Sequence, residues 1–191
     1  MLTIQQGIKL IDLAHHAVDT IILKQNLFLE PYKEFSDAKQ FVLILHKDAE
    51  VRTVEFFNAT SLYKDVVRAA REIAFENPKY YPIKEEELGK INFEIAIIEK
   101  AELLRVRDPL EYYKLIKIGR DGIMVHAGPY KALVLPNEPL ENGWDVERAL
   151  QHVCQKAGIP MDAWKNASHY QIFSFKAQVF EEVSKGKVVE K

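Results

Sequence analysis

Apolar residues recur along this chain in two rhythms, and the places where one gives way to the other mark its elements. From residue 3 to about 24, Ile4, Ile8, Ile11, Val18 and Ile22 fall on one stripe with His15 inside it, which predicts an amphipathic helix over 3–24 long enough to cover a sheet. His15 is then a packed, hydrogen-bonded histidine. Adjacent His16 points elsewhere, so the two do not form a metal pair. Phe41 to Leu45 is unbroken apolar sequence containing β-branched residues, which predicts a central strand. After a turn at 46–50, Val51 to Phe56 predicts a second strand on which Arg52 and Val54 share a face. Ser61 opens a helix to about Phe75, with Leu62, Val66, Ala69, Ala70, Ile73 and Ala74 inward, and Asn77-Pro78 ends it. Lys64, Arg68 and Arg71, interleaved with Asp65 and Glu72, read as a solvated face. A short helix at 85–88 and a half-buried strand at 93–97 complete the first half.

The second half repeats the order. Gly122 to Val125 and Lys131 to Leu135 predict a hairpin around Ala127-Gly128-Pro129. A helix follows, opened by Asn142-Gly143-Trp144-Asp145, with Val146, Ala149, Leu150, Val153 and Ala157 buried, and closed by Gly158 and Pro160. Met161 to Trp164 suits one more helical turn, Tyr170 to Phe180 a final strand, and the tail from Lys185 a frayed end. Aligning Val42-Leu43-Ile44-Leu45-His46 with Gly122-Ile123-Met124-Val125-His126 sets an offset of about 80 that the later elements keep. The expectation is an internal duplication, with pseudo-repeats of strand, strand, helix, short helix, strand at about 36–105 and 110–182 and the joint at Asp108-Pro109. Hairpins with helices on one side give an α+β class: a mostly antiparallel, shared sheet flanked by helices, in two unequal subdomains with a cleft between them.

Composition narrows the chemistry. The net charge of −2, with basic and acidic residues nearly balanced, gives no overall pull toward nucleic acid or anionic lipid. A single cysteine, Cys154, excludes internal disulfides and multi-cysteine zinc sites; with no membrane span and no signal-type N-terminus it points to the cytoplasm. Cys154 sits near the buried stripe of its helix, where a thiol acts as apolar filler. No nucleophile and base can be paired along the chain, so no catalytic residue, cofactor or metal is assigned. The Gly-flanked loop Gly119-Arg120-Asp121-Gly122 could hold an anion on its amides, although such glycines more often only turn the chain.

Taken together, Ala69-Ala70, Ala74-Phe75-Glu76-Asn77-Pro78-Lys79-Tyr80-Tyr81-Pro82, Glu87-Leu88, Gly119-Arg120-Asp121-Gly122-Ile123, Leu135-Pro136, Gly143-Trp144-Asp145, Lys156-Ala157-Gly158 and Phe175-Lys176-Ala177-Gln178-Val179-Phe180 resemble the AMMECR family, over about Phe41 to Glu181. The resemblance implies an α/β fold in two unequal parts with a cavity between them, no established activity, and Memo-like and radical-SAM proteins as genomic neighbours and possible partners. The family's Leu-Arg-Gly-Cys-Ile-Gly motif would fall at 51–56, which here reads Val51-Arg52-Thr53-Val54-Glu55-Phe56. Only the arginine survives, which marks a divergent member in which roles tied to that cysteine or those glycines are not expected. Arg52, Arg120, Asp121, His126 and Trp144 are the candidate residues of the cleft, with Asp121 or Asp145 as carboxylate partners for Arg52 if it is buried. An accessory protein binding a small anion or a partner's carboxylate is the first reading; an enzyme or enzyme subunit in a modification pathway and a nucleic-acid binder are the alternatives.

Overall fold

The computed structural model describes residues 1–191. In chain order its elements are α1 (Ile4–Ile22), β1 (Phe41–Lys47), β2 (Glu50–Phe56), α2 (Leu62–Arg71), β3 (Ile91–Ile98), β4 (Glu102–Leu103), α3 (Tyr112–Leu115), β5 (Gly122–Ala127), β6 (Tyr130–Val134), α4 (Glu138–Glu141), α5 (Val146–Lys156), β7 (Gln171–Phe175), β8 (Ala177–Ser184) and β9 (Lys187–Glu190). They form two antiparallel-hairpin sheets flanked by helices, an α+β fold, and the chain divides into two compact units, 1–97 with 178–191, and 98–177. The unit boundaries fall at Ile97–Ile98 and Ala177–Gln178. Asp108, at the expected joint of the repeats, caps a short 3-10 turn by accepting from the Leu110 amide at 2.9 Å.

In the first unit the sheet runs β2-β1-β3-β8-β9. β1 lies inside it, which is why its sequence is apolar without interruption. β3, expected to be half-buried, is instead buried at every position except Asn92, because it too is an interior strand. α1 starts at a capping box in which Thr3 and Gln6 satisfy each other's amides. Its buried face is Gly7, Leu10, Ile11, Leu13, Ala14, Ala17 and Val18; of the expected stripe, Ile11 and Val18 lie in that face, Ile8 and Ile22 are partly buried at its edge, and Ile4 is exposed. Small residues set that contact. A Cβ on Gly7 would lie 2.2 Å from the ring of Phe180, which is fully buried on β8. Ser61 stands at the start of α2 but its side chain caps nothing; buried Asp65, expected on the solvated row, accepts from the amides of Thr60 and Ser61 at 2.6 and 2.9 Å. Lys64, Arg68 and Arg71 are exposed as expected.

The second unit carries the order β4-β7-β5-β6. Gly128, at φ +62°, turns the β5–β6 hairpin, and the Asp145 carboxylate caps α5 by accepting from the Arg148 amide at 2.8 Å. α5 buries Ala149, Leu150, Val153 and Cys154 against Ile123, Val125, Ala132, Val134 and Ile172. The single strand expected at 170–180 is two strands: β7 pairs with β5 up to Phe175, and β8 takes its place beside β3 in the other sheet. The expected shared sheet is therefore two sheets. The tail is likewise not frayed, since β9 pairs with β8 from Phe180↔Glu190 to Ser184↔Lys187.

The two sheets use matching registers. Leu43 faces Val54 and Leu45 faces Arg52 in the first hairpin; Ile123 faces Val134 and Val125 faces Ala132, each 80 positions later, in the second. β3 and β7 both pair antiparallel with the first strand of their hairpins. The face bearing Leu43 and Leu45 packs with α2, and the face bearing Ile123 and Val125 packs with α5.

Gly7→Ala should lower stability by at least ~1 kcal/mol in urea unfolding, because overpacking against a fixed ring, about 1–3 kcal/mol, outweighs alanine's helix propensity. Gly89→Ala, where nothing lies within 4 Å of the added Cβ, should be neutral; equal effects of the two would refute the close α1–β8 contact.

Candidate functional site

Arg52 is 1% exposed, and its guanidinium is satisfied within the first unit. Glu50, two positions earlier on the same face of β2, accepts from Nε at 2.8 Å and lies 2.7 Å from an Nη. The remaining donors reach the carbonyls of Ile73, Ala74 and Tyr81 at 3.2, 3.4 and 3.0 Å. Those first two carbonyls come from a π-helical turn, Glu72–Glu76, that follows α2; widening the helix there turns backbone oxygens toward the arginine. Tyr80 covers the cation with its ring 4.9 Å from the guanidinium carbon. Asp121 and Asp145 are thus not its partners. Arginine's bond lowers the Glu50 pKa and outweighs the opposing effect of burial.

Arg120 and Asp121 make a different arrangement, in the second unit. Gly119, at φ +80°, lets the chain turn so that Asp121 accepts from the Lys117 amide at 2.9 Å and takes Arg120 bidentately, Nε at 2.8 Å and one Nη at 2.6 Å. Burial pushes the Asp121 pKa up, but the Arg120 bonds, the Lys117 amide and the charge of Lys176 together hold it below its ordinary value. The amides of Arg120 and Asp121 donate to the Lys117 carbonyl, so they are not turned outward as an anion nest. Gly122 serves packing: a Cβ there would lie 2.3 Å from the Phe175 ring of β7. Beside this loop an open cavity of about 480 Å³ is walled by Arg120, Asp121, Lys100, Glu102, Ser174 and Lys176, among others.

The other expected residues lie off that wall. His126 ends β5 with its ring 4.9 Å from that of Phe173, and burial, reinforced by Lys131, lowers its pKa. Trp144 precedes the α5 cap and lies against His152, centroids 4.3 Å apart. Lys100, Glu102 and Lys176 were not anticipated; they reach the cavity from segments about 75 residues apart, and no local pattern marks such a meeting.

The AMMECR1 family profile matches residues 12–180. The protein MJ0810 of Methanocaldococcus jannaschii is 36% identical over the whole of this chain and 98% of its own length. NEQ441 of Nanoarchaeum equitans is 40% identical over 63% of this chain and 67% of its own. The crystal structure of the uncharacterized protein PH0010 from Pyrococcus horikoshii superposes with a TM-score of 0.87 at 28% identity, covering 98% of this chain and 97% of that one. This chain belongs to the AMMECR1 family.

In this AMMECR1 protein Arg52, the one residue of the family motif kept at 51–56, is met by 77–82, a segment that carries the resemblance and supplies Tyr80 and the Tyr81 carbonyl. The position of the family motif's cysteine is occupied by Val54, buried in the core, and its last glycine by Phe56, stacked on Phe41 at 5.3 Å. Both are packing positions here. Cys154 is fully buried, and burial pushes its thiol up to about 11. No helix is long and apolar enough to cross a membrane.

Arg52→Ala leaves Glu50 and three carbonyls without their cation and should cost about 3–5 kcal/mol in denaturant unfolding, with Arg52→Lys rescuing only part, since an ammonium cannot span all four acceptors. A loss below ~1 kcal/mol would refute the buried role. In a second test, Cys154 should react with iodoacetamide at neutral pH at least ~100-fold more slowly in the folded than in the urea-unfolded protein, as its raised pKa and burial require. Comparable rates would contradict both.

Proposed function

We propose that the protein is an accessory ligand-binding protein and that the Arg120 cavity receives a small molecule, or a group on a peptide, bearing a carboxylate. The observation that carries this reading is Arg120 itself. Asp121 fixes the plane of its guanidinium through Nε and one Nη, while the other Nη has no partner in the protein and the side chain is 57% exposed. A cation held in place before binding loses little freedom when an anion arrives. Lys100 and Lys176 add positive charge, and Glu99 and Glu102 add acceptors, so a carboxylate accompanied by an ammonium matches this wall better than a plain anion.

We also infer that the halves, about 36–105 and 110–182, are copies of one unit. The matched hairpin registers and equivalent helix-covered faces support this. Under this correspondence the Arg120–Asp121 pair has Gln40 and Phe41 as counterparts, so the open arginine belongs to the second copy alone.

Titration with glycine, followed by amide chemical shifts, should move residues 98–102, 117–122 and 174–177 in a saturable way, with acetate weaker. Arg120→Gln should abolish the effect while the fold persists, since Asp121 keeps its Lys117 amide. Shifts that survive this substitution, or that spread across the chain without saturating, would overturn the reading.

A further inference from the structure

Asn142-Gly143 is the only asparagine–glycine pair in the chain, and its chemistry is local. The backbone nitrogen after an asparagine attacks the side-chain amide carbon: the N–Cγ bond forms, the Cγ–Nδ2 bond breaks, the attacking nitrogen gives its proton to solvent base, and Nδ2 leaves as ammonia. Water then opens the five-membered imide at one of its two carbonyls. The product is aspartate, or isoaspartate with the main chain rerouted through Cβ. Glycine in second place favours closure, because it brings no Cβ to crowd the ring and its backbone turns freely. Both residues are exposed here, and a Cβ added to Gly143 would meet nothing within 4 Å. Neither sterics nor solvent access stands in the way.

What closes the reaction is the end of α4. Asn142 is its C-cap, at φ −100° and ψ 0°, and Gly143 follows in the left-handed region at φ +64°. The Gly143 amide donates to the Leu140 carbonyl at 3.3 Å and the Trp144 amide to the Pro139 carbonyl at 2.8 Å, the two bonds of a Schellman cap. The Asn142 side chain turns back as well, Nδ2 donating to the Glu138 carbonyl at 2.8 Å. Each bond restrains one reactant. The attacking nitrogen keeps its proton on a carbonyl, a ψ of 0° turns it away from Cγ, and the leaving group is tied over the helix. Pro139 is buried, and the Trp144 ring lies against His152 of α5, so the cap is anchored at its far side.

We propose that Asn142 is a site of spontaneous conversion to aspartate and isoaspartate, latched by the α4 cap and released when that cap opens. A four-residue helix has little stability of its own, so local opening is the step that exposes the pair. Conversion does not reverse. The product has no amide to donate to Glu138, and it adds a carboxylate at the C-terminal end of a helix that already carries Glu138 and Glu141, where negative charge is unfavourable. Isoaspartate also adds a carbon to the main chain, which puts the Gly143 and Trp144 amides out of register with their carbonyls. The change reaches the turn before β5, since a Cβ on Gly119 would lie 2.7 Å from Cδ1 of Leu140.

Mass spectrometry of the tryptic peptide 132–148 tests this, after incubation of folded and urea-unfolded protein in mildly alkaline buffer at the same temperature. Asn142 should convert in urea, and at least ~10-fold more slowly in the folded protein, as a cap open less than about a tenth of the time requires. Trp144→Ala, which removes the anchor on His152, should speed conversion in the folded state. Asn142→Gln, which would have to close a six-membered ring, should show none on the same timescale. Should Trp144→Ala fail to fold, the unmodified protein serves: warming should raise the hydrogen-exchange rate of the Gly143 amide and the conversion rate together. In the converted protein the amide resonances of 119–121 should move. Equal rates in folded and unfolded protein, no conversion at Asn142 in urea, a folded Trp144→Ala protein at the unmodified rate, conversion that rises without amide exchange, or unmoved 119–121 resonances would each overturn the proposal.

Discussion

A guanidinium inside a protein must have every donor answered, and in this chain that requirement organises much of the first unit. Arg52 stands on the core-facing side of β2, where its alternation partner Val54 is an ordinary apolar residue. Solvating it with water is not possible at that depth, so the protein brings a carboxylate and three carbonyls to it. The geometry has consequences for the backbone. The π-turn after α2 presents two of the carbonyls, and the segment that follows folds back so that Tyr81 provides the third and the Ile83 amide bonds to the Ala74 carbonyl. A region with no regular structure, from Asn77 to Ile83, is thereby given one conformation.

The two units solve similar packing problems with different fillings. Each has a hairpin covered by a helix and a third strand beside it, and each uses a glycine to let a phenylalanine come close: Gly7 with Phe180, Gly122 with Phe175. Where the first hairpin has Arg52, the equivalent register position in the second has Ala132, buried against α5. The buried charge and its supporting turn are therefore particular to one hairpin. Conversely, the second unit places its arginine outside, braced by a buried aspartate. A cation that is fully enclosed by backbone stabilises a fold, whereas one that is fixed on one edge and open on the other can receive a ligand.

The same distinction separates the titratable groups elsewhere. Glu94, buried on β3, is raised by its burial but lowered overall by His46 and by Lys191, so its charge is answered inside the unit. Glu182 is answered too, by the His15 ring and by the Phe93 and Gly186 amides. Cys154 is enclosed by apolar neighbours. Whether a group has an unanswered atom at a cavity wall, more than how far its pKa moves, decides which sites in this protein can act on another molecule.

The sequence by itself determined the element order, the family and the apolar faces of most elements, because periods of two and 3.6 are local and burial enforces them residue by residue. Phe41–Leu45, α2 and α5 were legible for that reason, as was the buried setting of Cys154. Only the tertiary structure decided what Arg52 binds, since backbone carbonyls carry no side-chain signature and Glu50 looked like any surface acid. It also decided that 171–184 serves two sheets: alternation continues through Lys176, and strand pairing is not written in either strand alone. Of the expected α1 stripe Ile11 and Val18 are buried, but the face also includes Gly7, Ala14 and Ala17, small residues that a reading of hydrophobicity passes over. The Arg120 cavity and the His15–Glu182 pair were out of reach for the same reason: their members come from distant segments, His15 and Glu182 being 167 positions apart, and only the folded chain brings them together.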